Sequence, residues 1–298
     1  MQVLADKVVI VTGAGRGIGR AIAHAAAHAG AKVVAADLGT TLEGSEADPA
    51  VADAVAAEIA DAGGSARAVS QSVATGEGAR AIVDCALNTW GRVDGLVCCA
   101  GILRHRPFLE LTEFDFDAVI ATHLKGHFLM FQSVFAAMVA NGHGGSLIGI
   151  GSGYVLGDPA RAPYRSAKAG IVGLTKSVAR AGEGNGIRAN LISPIADTRM
   201  TEASNLKIGA SPEDVAPMAV YLLSDQSSEV NGEVFSASGR TISSWEDPYE
   251  SRSAKHHAQW TTEAIDEVMP WLRGGRREKA VAVPPLPSQT KTSGRSPG

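Results

Sequence analysis

The feature that most constrains this chain stands at its start. A continuous apolar run, Val8-Val9-Ile10-Val11, leads directly into Thr12-Gly13-Ala14-Gly15-Arg16-Gly17-Ile18-Gly19 and then into an Ala-rich stretch of helical period. A run without polar alternation fits a strand covered on both faces, as in a parallel sheet between two helical layers. Glycines allow a tight turn and close backbone approach to a ligand, and the N–H groups opening the next helix form an anion site. With 34 glycines in the chain, a Gly-rich turn alone is weak evidence. Its place between a strand and a helix is what points to a dinucleotide pyrophosphate resting there.

The same rhythm continues along the sequence. Short β-branched runs predict strands near 7–12, 32–37, 66–71, 93–98, 145–151, 187–193 and 233–237, and the stretches between them predict helices near 17–29, 50–62, 76–90, 112–139, 160–182 and 212–224. The expected fold class is therefore α/β: a doubly wound Rossmann-type parallel sheet of about seven strands with helices on both faces. A unit of this kind routinely reaches about 250 residues as one domain. The expected organisation is a Rossmann domain over 1–243, an aromatic-rich extension over 244–273 and a disordered tail over 274–298. The extension carries Trp245, Tyr249, Trp260 and Trp271, with one helical candidate over 261–271. The tail is rich in Gly, Pro, Ser and basic residues and cannot bury a core.

Charge and cysteine content narrow the partners. A net charge of −4 offers no basic field for nucleic acid or an anionic membrane surface. No apolar stretch approaches the ~18 residues that span a bilayer, and the opening residues lack a basic segment ahead of an apolar run, so a cytoplasmic location is expected. Cys85, Cys98 and Cys99 are too few for a disulfide framework and lack metal-ligand spacing, so reduced thiols and no metal site are expected.

Four further positions carry chemistry. Asp37 ends the second predicted strand, where a carboxylate would accept hydrogen bonds from ribose hydroxyls and repel a 2′-phosphate, which makes NAD the expected cofactor. Its alternative is a helix or loop cap, and Arg16 is either a solvated turn residue or a phosphate contact. Tyr164 and Lys168 lie one helical turn apart and share a face, with Ser152 upstream at the end of a strand. A phenol titrates near 10 unaided, so a base working near neutrality needs a nearby cation, which Lys168 supplies. Ser152 can hydrogen-bond the substrate oxygen and share charge developing on it.

TGAGRGIG, then IGSG ahead of YRSAK, then IRANLISP and TRMT, in this order over roughly residues 4–243, resemble the motif series of the short-chain dehydrogenase/reductase family. The resemblance implies a dinucleotide at the carboxyl ends of the strands. Gly13, Arg16, Gly17, Ile18 and Gly19 would surround its pyrophosphate, Asp37 its adenosine ribose, Ser72 and Val73 its adenine, and Ala100 and Gly101 would line it. Tyr164 and Lys168 would meet the nicotinamide ribose, and Pro194, Ile195 and Thr198 the carboxamide. It also implies Ser152, Tyr164 and Lys168 as the catalytic set, and a homodimer or homotetramer built through long helices. Three departures from the family pattern stand out: Cys98-Cys99 stands where Asn-Asn is usual, Ser72 where an Asp is common, and His123 where an Asn anchors a proton-relay water. His123 could act in the relay, shape the site, or be a satisfied core histidine. The His itself, Ile102-Leu103-Arg104-His105-Arg106 and Pro194-Ile195-Ala196 resemble the subgroup of the peroxisomal multifunctional enzyme's dehydrogenase domain, which acts on 3-hydroxyacyl-CoA or 17β-hydroxysteroids.

The stretch between Met200 and Pro212 is short for a substrate loop, which leaves an open site suited to bulky substrates. Tyr154, Val155, Leu156, Ile195 and Met200 would form its apolar wall. Arg104 and Arg106 would be a solvated pair or would meet CoA phosphates, and the aromatic extension would close the site or cement an oligomer. The expected activity is NAD-dependent interconversion of a secondary alcohol and a ketone on a 3-hydroxyacyl thioester, a hydroxysteroid or an alicyclic alcohol. Its rivals are a catalytically inactive dinucleotide-sensing protein and an NADPH-dependent ketone reductase.

Overall fold

Seven segments pair side by side as parallel strands: β1 (Val8–Thr12), β2 (Lys32–Ala36), β3 (Ser65–Val69), β4 (Gly95–Cys98), β5 (Gly145–Ile150), β6 (Ile187–Pro194) and β7 (Val234–Ser238). An eighth strand, β8 (Thr241–Ser244), adds antiparallel to β7 and gives the order β3-β2-β1-β4-β5-β6-β7-β8. The sequence reading missed β8 because Thr-Ile-Ser-Ser is an exposed edge with no buried face to leave a pattern. The computed structural model describes residues 2–153, 158–202, 207–247, 250–257 and 259–273.

The helices are α1 (Gly17–His28), α2 (Ala50–Asp61), α3 (Gly76–Trp90), α4 (Glu113–Ile120), α5 (Gly126–Asn141), α6 (Ala162–Gly182), the short α7 (Arg199–Glu202), α8 (Ala216–Leu223) and α9 (Thr262–Arg273). Alternate residues of each strand enter opposite cores, as the pleat demands. Val9 and Val11 pack with Ile22 of α1, Ile59 of α2 and Leu222 of α8, whereas Val8 and Ile10 pack with Ile82 of α3 and Phe131 and Met138 of α5. Both faces of the sheet are thus covered, and the strand order reverses between β1 and β4, where a ligand crevice opens at the carboxyl ends.

The helix expected over 112–139 is interrupted. Thr112 and Asp115 form a reciprocal cap that starts α4, and a π-helical turn over Ala121–Lys125 separates α4 from α5. Periodicity across this span is apolar enough to read as one helix, so the extra residue of the π turn left no trace in the pattern.

The chain divides into two compact units, 1–245 and 246–298. Trp245 falls in the first: its backbone N–H donates to Val234 O at 2.9 Å and its indole N–H to Ser236 Oγ at 2.6 Å. In the second unit, the Arg252 guanidinium stands 5.4 Å from the centre of the Trp271 ring and donates to the Trp271 carbonyl, while His256 lies 5.0 Å from Trp260. Tyr249 and the expected tail lie outside the described residues. No described helix is long and apolar enough to cross a membrane.

Candidate active site

The Gly-rich turn is built around close backbone contacts. Gly13 has φ +66, and a Cβ there would come within 2.6 Å of Ala100 N; a Cβ on Gly19 would overlap the carbonyl of Gly13. A Cβ on Gly15 would collide with Val51 and stand 2.8 Å from an Asp37 carboxylate oxygen. These glycines therefore leave a cradle that any side chain would fill. The first turn of α1 has no side-chain cap and no acidic residue, so its N–H groups remain available to an anion. Asp37 accepts from Gly15 N at 2.8 Å with one oxygen and from Gly39 N at 2.7 Å with the other, which fixes the carboxylate at the tip of β2. Both oxygens retain lone pairs for ribose hydroxyls. Exposed Arg16 donates to Thr40 O at 3.0 Å and shares a recess with Leu42, Asp48 and Arg199. Thr198 lies opposite Gly17, with its methyl 3.8 Å from where a Cβ would be. The residues present fit a dinucleotide.

The other expected contacts fall along the same crevice. Ser72 accepts from Ala74 N at 3.2 Å, and Val73 is buried against Gly126. The Cys98-Cys99 step does not loosen the loop after β4, because Thr12 holds it: Thr12 O accepts from Cys99 N at 3.0 Å and Thr12 Oγ1 from Ala100 N at 3.4 Å. Burial pushes the Cys99 thiol up to about 12, so it stays neutral. Pro194 ends β6, and Ile195 N donates to Ala237 O at 3.0 Å. Among the described residues no cluster of His, Cys, Asp and Glu is arranged to hold a metal ion.

Ser152, Tyr164 and Lys168 converge where β5 meets α6. Lys168 is buried, donates from Nζ to Ile150 O at 2.6 Å, and lies 5.5 Å from the centre of the Tyr164 ring. Burial lowers its ammonium to about 8. Burial also pushes the Tyr164 phenol up, while the hydrogen bond from Ser152 and the charges of Arg165 and Arg161 pull it back. One phenol beside one buried cation and one hydroxyl donor can pass a proton to or from an alcohol oxygen.

His123 sits in the π turn and meets the edge of Tyr164, with ring centres 5.2 Å apart and planes at 85°. Its Nε2 lies 3.1 Å from Ile102 N and 2.8 Å from Ile102 O, and its buried Nδ1 has no partner among the described residues. Burial, with Lys168 nearby, holds the imidazole well below its usual value and therefore neutral. Gly101 makes the room: a Cβ there would overlap the ring.

Several residues of the site were not foreseen. His127, one turn after His123, pairs through Nδ1 with His123 O at 2.7 Å and through Nε2 with Ile150 N at 3.3 Å, joining the π turn to the strand that anchors Lys168. Arg165 donates to Ser152 Oγ. Arg104 corrects an expectation: it is buried rather than solvated, ion-paired to Asp115 at 3.1 Å, and it donates to Glu43 O in the loop after β2. Asp115 also meets the half-exposed Arg106 at 3.5 Å. Two like charges near one carboxylate are legible only when α4 has been placed. Asp197 accepts from Ile208 N at 2.7 Å and Gly209 N at 2.8 Å, stapling the short segment after α7. Of the expected apolar wall, Ile195 is exposed and Met200 half-buried, and Tyr154, Val155 and Leu156 lie outside the described residues.

Comparison with known proteins agrees with this geometry. The family model described as short chain dehydrogenase matches residues 7–209. A hydroxyacyl-CoA dehydrogenase, ChsB1, of Mycobacterium tuberculosis is 34% identical over 96% of this chain and 95% of its own length. Peroxisomal multifunctional enzyme type 2 of Mus musculus is 38% identical over 87% of this chain, which spans only 35% of that protein's length. The crystal structure of a short chain dehydrogenase from Mycobacterium avium superimposes with a TM-score of 0.82 at 37% identity, covering 96% of this chain and 98% of that one. With a doubly wound sheet, a Gly-rich cradle and a convergent Ser-Tyr-Lys set already in place, these matches leave one conclusion: the chain belongs to the short-chain dehydrogenase family.

Proposed function

We propose that this chain oxidises a secondary alcohol to a ketone with NAD as acceptor, on a hydrophobic substrate of which a 3-hydroxyacyl thioester is the first choice and a hydroxysteroid or alicyclic alcohol the next. The observation that carries the reading is the convergence of Ser152 and Tyr164 on the buried Lys168. Tyr164 Oη takes the hydroxyl proton, Lys168 holds the phenolate by its charge, and Ser152 donates a hydrogen bond to the oxygen on which charge develops. The bound nicotinamide supplies the acceptor for the hydride leaving the carbinol carbon. His123 walls the site against Tyr164, and its neutral ring favours this shaping role over proton transfer. Gly13, Gly17, Ile18 and Gly19 cradle the pyrophosphate, and the doubly held Asp37 carboxylate favours ribose hydroxyls over a 2′-phosphate. The thioester is preferred because relatives that align along this chain include a hydroxyacyl-CoA dehydrogenase. The setting is a cytoplasmic homo-oligomer with reduced thiols.

A panel of 3-hydroxyacyl-CoA esters, hydroxysteroids and alicyclic alcohols, followed by NADH absorbance, tests the reading. Turnover with NAD, lost in Tyr164→Phe while NADH still binds, is the expected result. Full turnover in that variant would overturn the assignment of the base. Michaelis constants for NAD and NADP, with Asp37→Ala alongside, decide the cofactor; an NADP preference in the wild type would reverse it.

A further inference from the structure

The residue after the catalytic tyrosine is an arginine, and its placement is unusual. Arg165 Nη1 donates to Ser152 Oγ at 3.1 Å and to Gly153 O at 3.1 Å. It makes no ion pair among the described residues: the nearby carboxylate, Asp158, is engaged by Arg161 Nε at 2.6 Å. Its Nε–H is buried and has no partner among the described residues. An unsatisfied donor on a charged group is expensive to bury, so nothing about packing favours a guanidinium here.

A guanidinium has five N–H donors and no acceptor. When it donates to Ser152 Oγ, it fills a lone pair of that hydroxyl and leaves the serine's single proton to be given elsewhere. The Tyr164 hydroxyl is the group that Ser152 also hydrogen-bonds. Once Tyr164 ionises, the phenolate can only accept, so in the free enzyme the direction is Arg165 → Ser152 → Tyr164, and a bound alcohol oxygen takes over the serine's proton.

We propose that Arg165 is a positioning residue of this active site: it holds Ser152 by a hydrogen bond and, in addition to Lys168, places a second cation in support of the Tyr164 phenolate. The inference rests on the proposed alcohol oxidation. The charged and titratable groups around Tyr164 enter the balance: Lys168 and Arg165 from α6, Arg161 at its N-cap, Asp158 as the countercharge that faces Arg161 and Arg165, His123 from the π turn, and Cys98 and Cys99 beside Lys168 from the end of β4. The two thiols and the imidazole are neutral near pH 7, so the cations dominate.

Two substitutions separate charge from hydrogen bonding. Arg165→Gln keeps an N–H donor for Ser152 Oγ and removes the charge; Arg165→Lys keeps the charge and loses the fork. The measurement is the pH dependence of kcat/KM for alcohol oxidation, whose acidic limb follows phenol ionisation. Arg165→Gln is expected to move that limb upward by about one pH unit, and Arg165→Lys to restore most of the shift. Ionisation of Tyr164 is also read without turnover, as the ultraviolet phenolate difference between each variant and its Tyr164→Phe counterpart; the chain has only 4 tyrosines. A melting curve of each variant confirms folding. An unmoved limb and an unmoved phenolate titration in folded Arg165→Gln would overturn the inference. Absence of turnover in the wild type across the panel would instead overturn the proposed reaction, and the phenolate titration would still judge Arg165.

Discussion

Gly101 and His123 compete for one volume. A single methyl at Gly101 would overlap the imidazole edge, and the ring has Tyr164 on its other side. Gly101→Ala is therefore expected to cost about 1–3 kcal/mol, the range for an extra carbon forced into a packed site, and to lower kcat by tilting Tyr164. The smaller side chain of His123→Asn should recover part of the loss when combined with it; denaturant midpoints of the two single variants and the double settle this, and strictly additive losses would refute the shared volume. The Tyr164–Lys168 pair was legible in the sequence because a helical turn fixes which residues share a face. The contact between Ser152 and Arg165 was not, since it depends on how closely the end of β5 passes the first turn of α6. Arg104 was misjudged for the same reason: its partner, Asp115, belongs to an element whose position the local sequence does not encode.

At the scale of elements, the π turn is the feature that the apolar pattern concealed and that the site depends on. It carries His123, and His127 ties it to β5 by accepting from Ile150 N while donating to His123 O. Burial lowers His127 to about 3 and His123 well below its usual value, so both stay neutral in the folded chain across the ordinary pH range. The unfolded chain has no such restraint and its histidines bind protons below about 6.5. The sign follows: with folded values depressed, falling pH favours the unfolded state, and each histidine erodes stability by up to about 1.4 kcal/mol per pH unit below 6.5. For His127 the erosion continues down to about 3. His127→Gln can replace both hydrogen bonds without titrating. Its unfolding free energy, measured in urea at pH 7.5 and again at pH 5, should fall less steeply than that of the wild type; parallel slopes would show that His127 carries no such linkage.

At the scale of the molecule, the strands were readable because a sheet covered on both faces demands unbroken apolar runs, and the cores on either side of β1 bear that out. The same logic applied to α5 points outward. Its buried residues, Met130, Phe131, Val134 and Met138, already face the sheet, yet Phe128, Phe135 and Val139 form a second apolar stripe, with Phe128 and Val139 each close to half exposed. A helix apolar all round belongs inside something. Phe114 of α4 adds to the exposed aromatic surface. A second copy of this chain is the occupant we expect, in keeping with the homo-oligomer proposed above, since a helix placed against its own symmetry mate buries the same stripe twice. Replacing Phe128 and Val139 by Glu puts like charges at the centre of such a contact without touching the face that packs on the sheet. Sedimentation should then show a dimer or tetramer for the wild type and a monomer for the double variant, with the far-ultraviolet spectrum unchanged. A wild-type monomer, or a variant that sediments like the wild type, would move the contact off α5.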